Sequence, residues 1–241
     1  MDDIYEQLKK RVFDLWKEEG LLSERIQIRV RALSTKEAIG NPEHQDFPIQ
    51  KGKEKLMQAT FMDAGGQAFT DMYGDYEGTL QDVLNLPMKN NHQRAVFVTS
   101  LNATLRHMGR IEGSIHCHDE EPVTCGKALV PYLRDRYSGA KITQVGFQPR
   151  MLENLAGAYP LRVLDMDPDN IGARKFGVVI ESADHTEDAV HWADLLLVTG
   201  TTLANGTITP LLDKKPIIFY GTTVAGAAHL MGWERFCPCS R

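Results

Sequence analysis

The chain has 241 residues, of which 42% are hydrophobic and 24% charged, with a net charge of −5. That length suits one large domain or two ordinary ones, and that composition excludes a disordered or fibrous protein. With an acidic balance and dispersed basic residues, there is no electrostatic case for nucleic acid or an anionic membrane as partner.

No apolar run reaches the ~20 residues that a membrane span requires. Met1-Asp2-Asp3 is acidic where a secretory signal is basic, so a cytoplasmic protein is expected. In a reducing compartment the four cysteines, Cys117, Cys125, Cys237 and Cys239, read as thiols or ligands rather than disulfides.

In chain order, Ile4, Leu8, Val12 and Leu15 recur at helical spacing and Gly20 supplies a stop, which predicts an amphipathic helix over Asp2 to Glu19. From Arg25 to Leu33 the period becomes two, with Ile26, Ile28, Val30 and Ala32 inward and Arg25, Gln27, Arg29 and Arg31 outward. The arginines offer an anion patch, although a solvated outer face explains them more simply. Asn41 to Gly52, with two prolines, is a loop of lid length. Glu54 to Phe61 and Gln67 to Asp71 flank Asp63-Ala64-Gly65-Gly66 as a hairpin, leaving Gln67, Thr70 and Asp71 as a polar group. Thr79 caps a short helix through Leu84. Asn90 or Asn91 caps a longer one to Met108, with Ala95, Val98, Leu101, Leu105 and Met108 inward and His92, Arg94 and Asn102 outside that stripe.

Ile115 to Cys125 gathers two imidazoles, two thiols and three carboxylates. Its cysteine spacing is not a recurrent zinc spacing, whereas an Asp119 cap, the acids Glu120 and Glu121, and Pro122 together describe a helix start. The stretch therefore reads as a hinge and cap, with His116 and Cys117 able to face a cleft. Pro131 is expected to kink or split the helix that follows.

Beyond the hinge, four apolar runs end in turns: Ile142 to Phe147, Leu161 to Asp165, Leu195 to Thr199 and Pro216 to Tyr220. Such runs separated by helical patterns predict a Rossmann-like parallel sheet covered on both faces, whose ligands bind beyond the strands' carboxyl ends. That rule selects Gln148 after the first run and Asp165, Asp167 and Asn170 after the second. After the third it selects Thr199, Gly200, Thr201, Thr202, Asn205, Gly206 and Thr207, and after the last, Gly221 and Thr222. Asp165 falls 19 residues after Gly146, close to the separation of a ribose-binding acid. Gly-x-Gly-x-x-Gly is absent, and Ala227 and Ala228 stand where a P-loop needs Lys and Ser/Thr. Thr222 is either an anion contact or an N-cap, and Thr207 a cap for a helix through Leu211 and Leu212. Asp165, Asp167 and Asp169 suit a hard cation, a general base, or only a solvated bend.

These residues resemble a known family, described as "putative heavy-metal chelation". The likeness is carried by Lys51-Gly52-Lys53-Glu54, Gly66-Gln67-Ala68-Phe69-Thr70-Asp71, Asn91-His92-Gln93-Arg94-Ala95-Val96, and His116-Cys117 with Asp119-Glu120-Glu121-Pro122. It continues through Leu164 to Gly172, Asn205-Gly206-Thr207 and Phe219-Tyr220-Gly221-Thr222-Thr223. The resemblance implies an α/β protein in which an α+β enolase-N-terminal-like domain, residues 1–113, precedes a Rossmann-like domain, residues 114–241. It further implies a small polar ligand, a heavy metal or metal chelate, in the interdomain cleft, and a role in metal or cobalamin-related metabolism. On this reading His116, Cys117 and Asp167 are the metal candidates, and a heavy-metal ion is the one cofactor suggested. The alternative is a transferase or lyase acting on a nucleotide-like or anionic molecule with Asp165 or Asp167 as acid/base. Self-association into a homo-oligomer is compatible with either.

Overall fold

A computed structural model describes residues 3–22 and 27–241. Helix α1 (Ile4–Glu18) buries Ile4, Leu8, Val12 and Trp16, the face that the sequence period selects. Strand β1 (Gln27–Ala32) buries Ile28 and Val30. On its outer face Arg29 pairs with Glu77 at 3.1 Å and Arg31 with Glu37 at 2.8 Å, so these arginines are solvated ion-pair partners rather than an anion site. Asp2, Arg25 and Ile26 of the expected elements lie outside the described residues.

Helix α2 (Thr35–Ile39) starts on a Ser34–Glu37 capping box. Strands β2 (Lys55–Phe61), β3 (Ala64–Thr70) and β4 (Tyr76–Thr79) join β1 in an antiparallel sheet of order β3-β2-β1-β4. The hairpin turns at Met62-Asp63, Met62 having φ 53°, and not at the glycines. Gly65 and Gly66 instead lie within β3. A Cβ on Gly66 would meet the Thr99 carbonyl oxygen at 2.5 Å and the Ala103 nitrogen closer still, so glycine here lets the strand lie against helix backbone.

That helix is α4 (Asn91–His107), which follows α3 (Leu80–Leu84) and is capped by the Asn90 side chain on Gln93 N at 2.9 Å. Every residue from Ala95 to Leu105 is buried, so the expected one-sided stripe is wrong: the helix is surrounded. Thr99, Ser100 and Thr104 satisfy their hydroxyls on carbonyls three or four residues back. Asn102, expected outside the stripe, is fully buried. Its amide donates to the carbonyls of Gln67, Thr222 and Thr223 at 2.9, 3.2 and 3.1 Å, and its oxygen accepts from Gly226 N at 2.7 Å.

Helix α5 (Glu121–Tyr137) begins where the acids and Pro122 place it, and it runs through Pro131 as one assigned helix. Asp119 is not its cap. With φ 51° it turns away, and its carboxylate accepts from Asn41 N at 2.8 Å. A mostly parallel sheet follows, of order β11-β10-β9-β5-β6-β8-β7. Its strands are β5 (Ile142–Val145), β6 (Leu161–Asp165), β7 (Arg174–Lys175), β8 (Val178–Ser182), β9 (Leu195–Thr199), β10 (Ile217–Tyr220) and β11 (Arg235–Phe236), with only β7 antiparallel to its neighbour. Helices α6 (Pro149–Leu155), α7 (Thr186–Trp192), α8 (Thr201–Asn205) and α9 (Ala225–Met231) connect the strands. The α/β class expected from the sequence is the class observed.

One cluster of buried apolar side chains runs from α1 and the antiparallel sheet through α4 to Leu196, Val198, Leu203 and Phe219. Tyr5 reinforces the connection by donating to the Leu203 carbonyl at 2.7 Å, and Trp16 by donating to Thr104 Oγ1 at 3.0 Å. Among the described residues no helix is long and apolar enough to cross a membrane.

Candidate functional site

The carboxyl ends of the parallel strands open into a cavity of about 1720 Å³ whose other wall comes from β3, α4, the hinge and the segment 39–54. The expected strand-end residues line it, from Gln148 and Asp165 to Thr207 and Gly221, as do Thr70 and Asp71. Gln67 and Thr222 do not. Gln67 is only 2% exposed and stitches the hinge: its Nε2 donates to Gln58, its oxygen accepts from His116 N at 2.6 Å, and its amide donates to Ser114 O. Thr222 is fully buried, its hydroxyl unpartnered among the described residues, and the cap position of α9 belongs to Val224.

The Thr199-to-Thr207 stretch is not the open turn expected. It folds at once into α8, and Asn205-Gly206 ends that helix, Gly206 adopting φ 82°. Thr207 bonds back to Asn205 Oδ1 at 2.7 Å and caps no helix; only a 3₁₀ turn, Thr209–Leu211, follows. At the first strand end, Gly146 has φ 91°, and a Cβ there would lie 2.6 Å from Thr199 Cγ2. Tyr220 donates to the Gly146 carbonyl at 2.7 Å, and its burial pushes the phenol far up.

Asp165 has both oxygens engaged by local backbone, Oδ2 by Phe147 N and Oδ1 by Asp167 N, each at 2.7 Å. It is therefore a rigid carboxylate at the mouth of β6. Asp167 is met by Lys53, which also reaches Asp169 at 2.6 Å, while Lys51 donates to Asn170 Oδ1 at 3.0 Å. Burial works against the Asp167 anion, but the Lys53 bond and the Asp169 amide outweigh it and hold its pKa below the usual range.

Lys51 and Lys53 belong to a strap over the cavity. The strap is tied elsewhere by Glu43 N to Glu120, by Asn41 N to Asp119, and by Asp46 to Arg150, a buried guanidinium 5% exposed.

At the end of this strap stands Glu54, the first residue of an expected strand and the last of the Lys51-Gly52-Lys53-Glu54 motif, with no role of its own expected from the sequence. Its pKa is pushed up to about 7, first by burial and then by the negative charges of Asp165, Asp71 and Asp167. Among the described residues nothing hydrogen-bonds or ion-pairs with its carboxylate. No local pattern could have found it, because its neighbours come from β3 and the distant β6 turn.

On the hinge side, His116 and Cys117 line the same cavity, with Cys125 and Cys237. Burial pushes the His116 imidazole down to about 4, so it is neutral, and its Nδ1 is buried without a partner among the described residues. Asp167 lines the cavity too, yet among the described residues no group of three His, Cys, Asp or Glu side chains is arranged to hold a metal ion.

Residues 130–231 match the family model DUF364, described as "Putative heavy-metal chelation". Two solved structures are similar to the chain, both DUF364 proteins of unknown function. One, from Pyrococcus horikoshii, is 15% identical with a TM-score of 0.56, over 92% of this chain and 79% of its own. The other, from Desulfitobacterium hafniense, is 12% identical with a TM-score of 0.51, over 74% of this chain and 72% of its own. At such identities the likeness concerns the DUF364 fold alone. No curated protein matches the chain.

Proposed function

We propose that the cavity binds a small molecule bearing positive charge, of which a metal chelate is the best fit, with Glu54, Asp71 and Asp165 as the receiving face. The observation that carries this is Glu54: a half-buried carboxyl without a cationic partner among the described residues, near three aspartates at the edge of a cavity of about 1720 Å³. A cation there removes the repulsion that raises its pKa. Because no three donors among the described residues are already gathered around one point, a metal whose own chelator supplies most ligands suits the site better than a bare ion. The family description points the same way. In this reading residues 1–113 serve as the enolase-N-terminal-like half and 114–241 as the Rossmann-like half of a cytoplasmic protein.

Elemental analysis and native mass spectrometry of freshly purified protein test it, followed by calorimetry with tris(ethylenediamine)cobalt(III) as an inert cationic chelate. Binding that Glu54→Gln weakens at least tenfold is expected. A protein that carries no adduct and gives no heat with the cobalt complex contradicts the reading.

A second reading, an acid/base enzyme, is favoured by one fact: a carboxyl titrating near 7 is suited to proton transfer at neutral pH. The acid/base then shifts from Asp165 or Asp167 to Glu54, since Asp165 is committed to backbone amides and Asp167 to Lys53. A substrate whose turnover Glu54→Gln abolishes, with binding retained, would establish it.

A further inference from the structure

Glu54 and Asp71 meet at one end of the antiparallel sheet. The ladder between β2 and β3 closes with Lys55 opposite Thr70, so one step outward Glu54 comes opposite Asp71. Alternation along each strand puts Glu54 on the face of Leu56 and Asp71 on the face of Phe69, and Phe69 packs against the cluster that holds Leu56. Like charges set opposite each other across a ladder are destabilising, so the sheet gains nothing from this pair. Both side chains line the cavity.

The three aspartates near Glu54 differ in what they leave free. Asp165 has both oxygens on backbone amides, and Asp167 is held by Lys53. Asp71 accepts one bond, from Asn91 Nδ2 to its Oδ1 at 2.6 Å, and its Oδ2 has no partner among the described residues. Asn91 cannot present its other end. Its Oδ1 accepts from Arg94 Nη2, and a guanidinium only donates, so the amide nitrogen must face Asp71. Arg94 is itself fixed: it donates to the carbonyls of Met88 and Ala204 at 2.8 and 3.1 Å, and a Cβ on Gly206 would meet its Cζ at 3.1 Å. Backbone, guanidinium, amide and carboxylate thus form one chain that ends at Asp71 on the cavity wall.

We propose that Asn91 is the positioning residue of the cation site: it aims Asp71 so that Asp71 and Glu54 form a pair of hydrogen-bond acceptors for a cation whose rim carries N–H or O–H donors, such as metal-bound amine, ammonia or water. This rests on the cationic-ligand reading above and specifies the ligand. Attraction between charges falls off gradually with distance and needs no particular aim, whereas a hydrogen bond weakens steeply away from its line. Asn91 therefore contributes to the binding of an N–H-rimmed cation and little to that of a cation of equal charge clad in C–H. The neighbouring charges of Asp165, Asp167 and Lys53 act on both kinds alike.

The test is calorimetry of the whole protein with two inert trivalent complexes, tris(ethylenediamine)cobalt(III), which has an N–H rim, and tris(bipyridine)rhodium(III), which has none. Asn91→Leu should weaken the cobalt complex roughly fivefold and the rhodium complex by no more than about twofold. The double variant with Asp71→Ala should bind the cobalt complex no more weakly than Asp71→Ala alone. Equal losses for the two complexes, or losses that add in the double variant, overturn the proposal, because an Asn91 that only braced Arg94 and the end of α8 would affect any guest. Nuclear magnetic resonance adds a reading that needs no Asn91 variant to fold. The assigned Asn91 side-chain amide signal should move in Asp71→Ala, a change at an exposed residue, and stay in place in Asp167→Asn. A signal indifferent to Asp71→Ala also overturns the proposal. A protein that binds only the rhodium complex refutes the donor-rimmed ligand while keeping the cationic reading, whereas one that binds neither complex refutes both.

Discussion

Glu54→Gln preserves the shape of a half-buried side chain and removes its charge, and its effect on stability can be worked through. In the folded chain the Glu54 pKa is about 7 against an ordinary 4.5, first because of burial and then because of Asp165, Asp71 and Asp167. The native state therefore binds this proton more tightly than the unfolded chain, and its stability falls as pH rises. Below about 4.5 both states are protonated and nothing is lost; the loss accumulates between about 4.5 and about 7 and is complete above that. At ~1.4 kcal/mol per pKa unit the full loss is about 3 kcal/mol. Glutamine has no proton to bind, so the variant escapes it. Urea unfolding of both proteins at pH 5, 6, 7 and 8 measures the gap, and other titrating groups cancel in the difference. The variant's advantage should be under about 1 kcal/mol at pH 5 and reach about 2–3 kcal/mol at pH 8. A gap that stays constant from pH 5 to pH 8 refutes the placement of Glu54 in a buried anionic setting.

Gly66→Ala should cost about 3 kcal/mol in urea unfolding, because the new methyl meets helix backbone that cannot step aside; an unchanged midpoint would contradict that packing. Asn102→Leu strands the carbonyls of Gln67, Thr222 and Thr223 and the Gly226 amide, and a loss of roughly 3 kcal/mol is expected by the same measurement. Lys53→Ala should leave Tm unchanged, since its ion pairs are exposed, yet quicken limited proteolysis within residues 41–54. Equal cleavage rates in the two proteins would mean that this lysine does not hold the strap.

Those residues also mark how far local patterns reach. The strands β6 and β9 are legible to the residue because each is a short run of apolar side chains closed by a polar turn, and the strand-end rule then finds Asp165, Asp167 and Asn170. Strand β8 escapes notice because it lies next to the short outermost strand, leaves Val179 39% exposed, and has an apolar run of only three residues, Val178-Val179-Ile180. The α4 stripe misleads because Asn102, Thr99 and Ser100 are polar in sequence but satisfied inside the protein. Polarity predicts exposure only when the partner is water. Asp119 has the chemistry of a cap, yet Asn41, far away in the chain, takes its carboxylate. Glu54 owes its setting to segments far away in the chain, Asp71 and the β6 turn, and no spacing within a segment encodes it.

The way α4 is held has a mechanical consequence. A helix enclosed on every side, with one asparagine joined to both walls of the cavity, makes the two sheets a single rigid frame that cannot part to admit a guest. Passage must go by the strap over residues 41–54, whose attachments are mostly a few surface charges and amides. Such attachments weaken with ionic strength, whereas the apolar frame does not. The dwell time of a bound molecule is therefore set at the latch rather than in the frame, and salt should shorten it without loosening the fold.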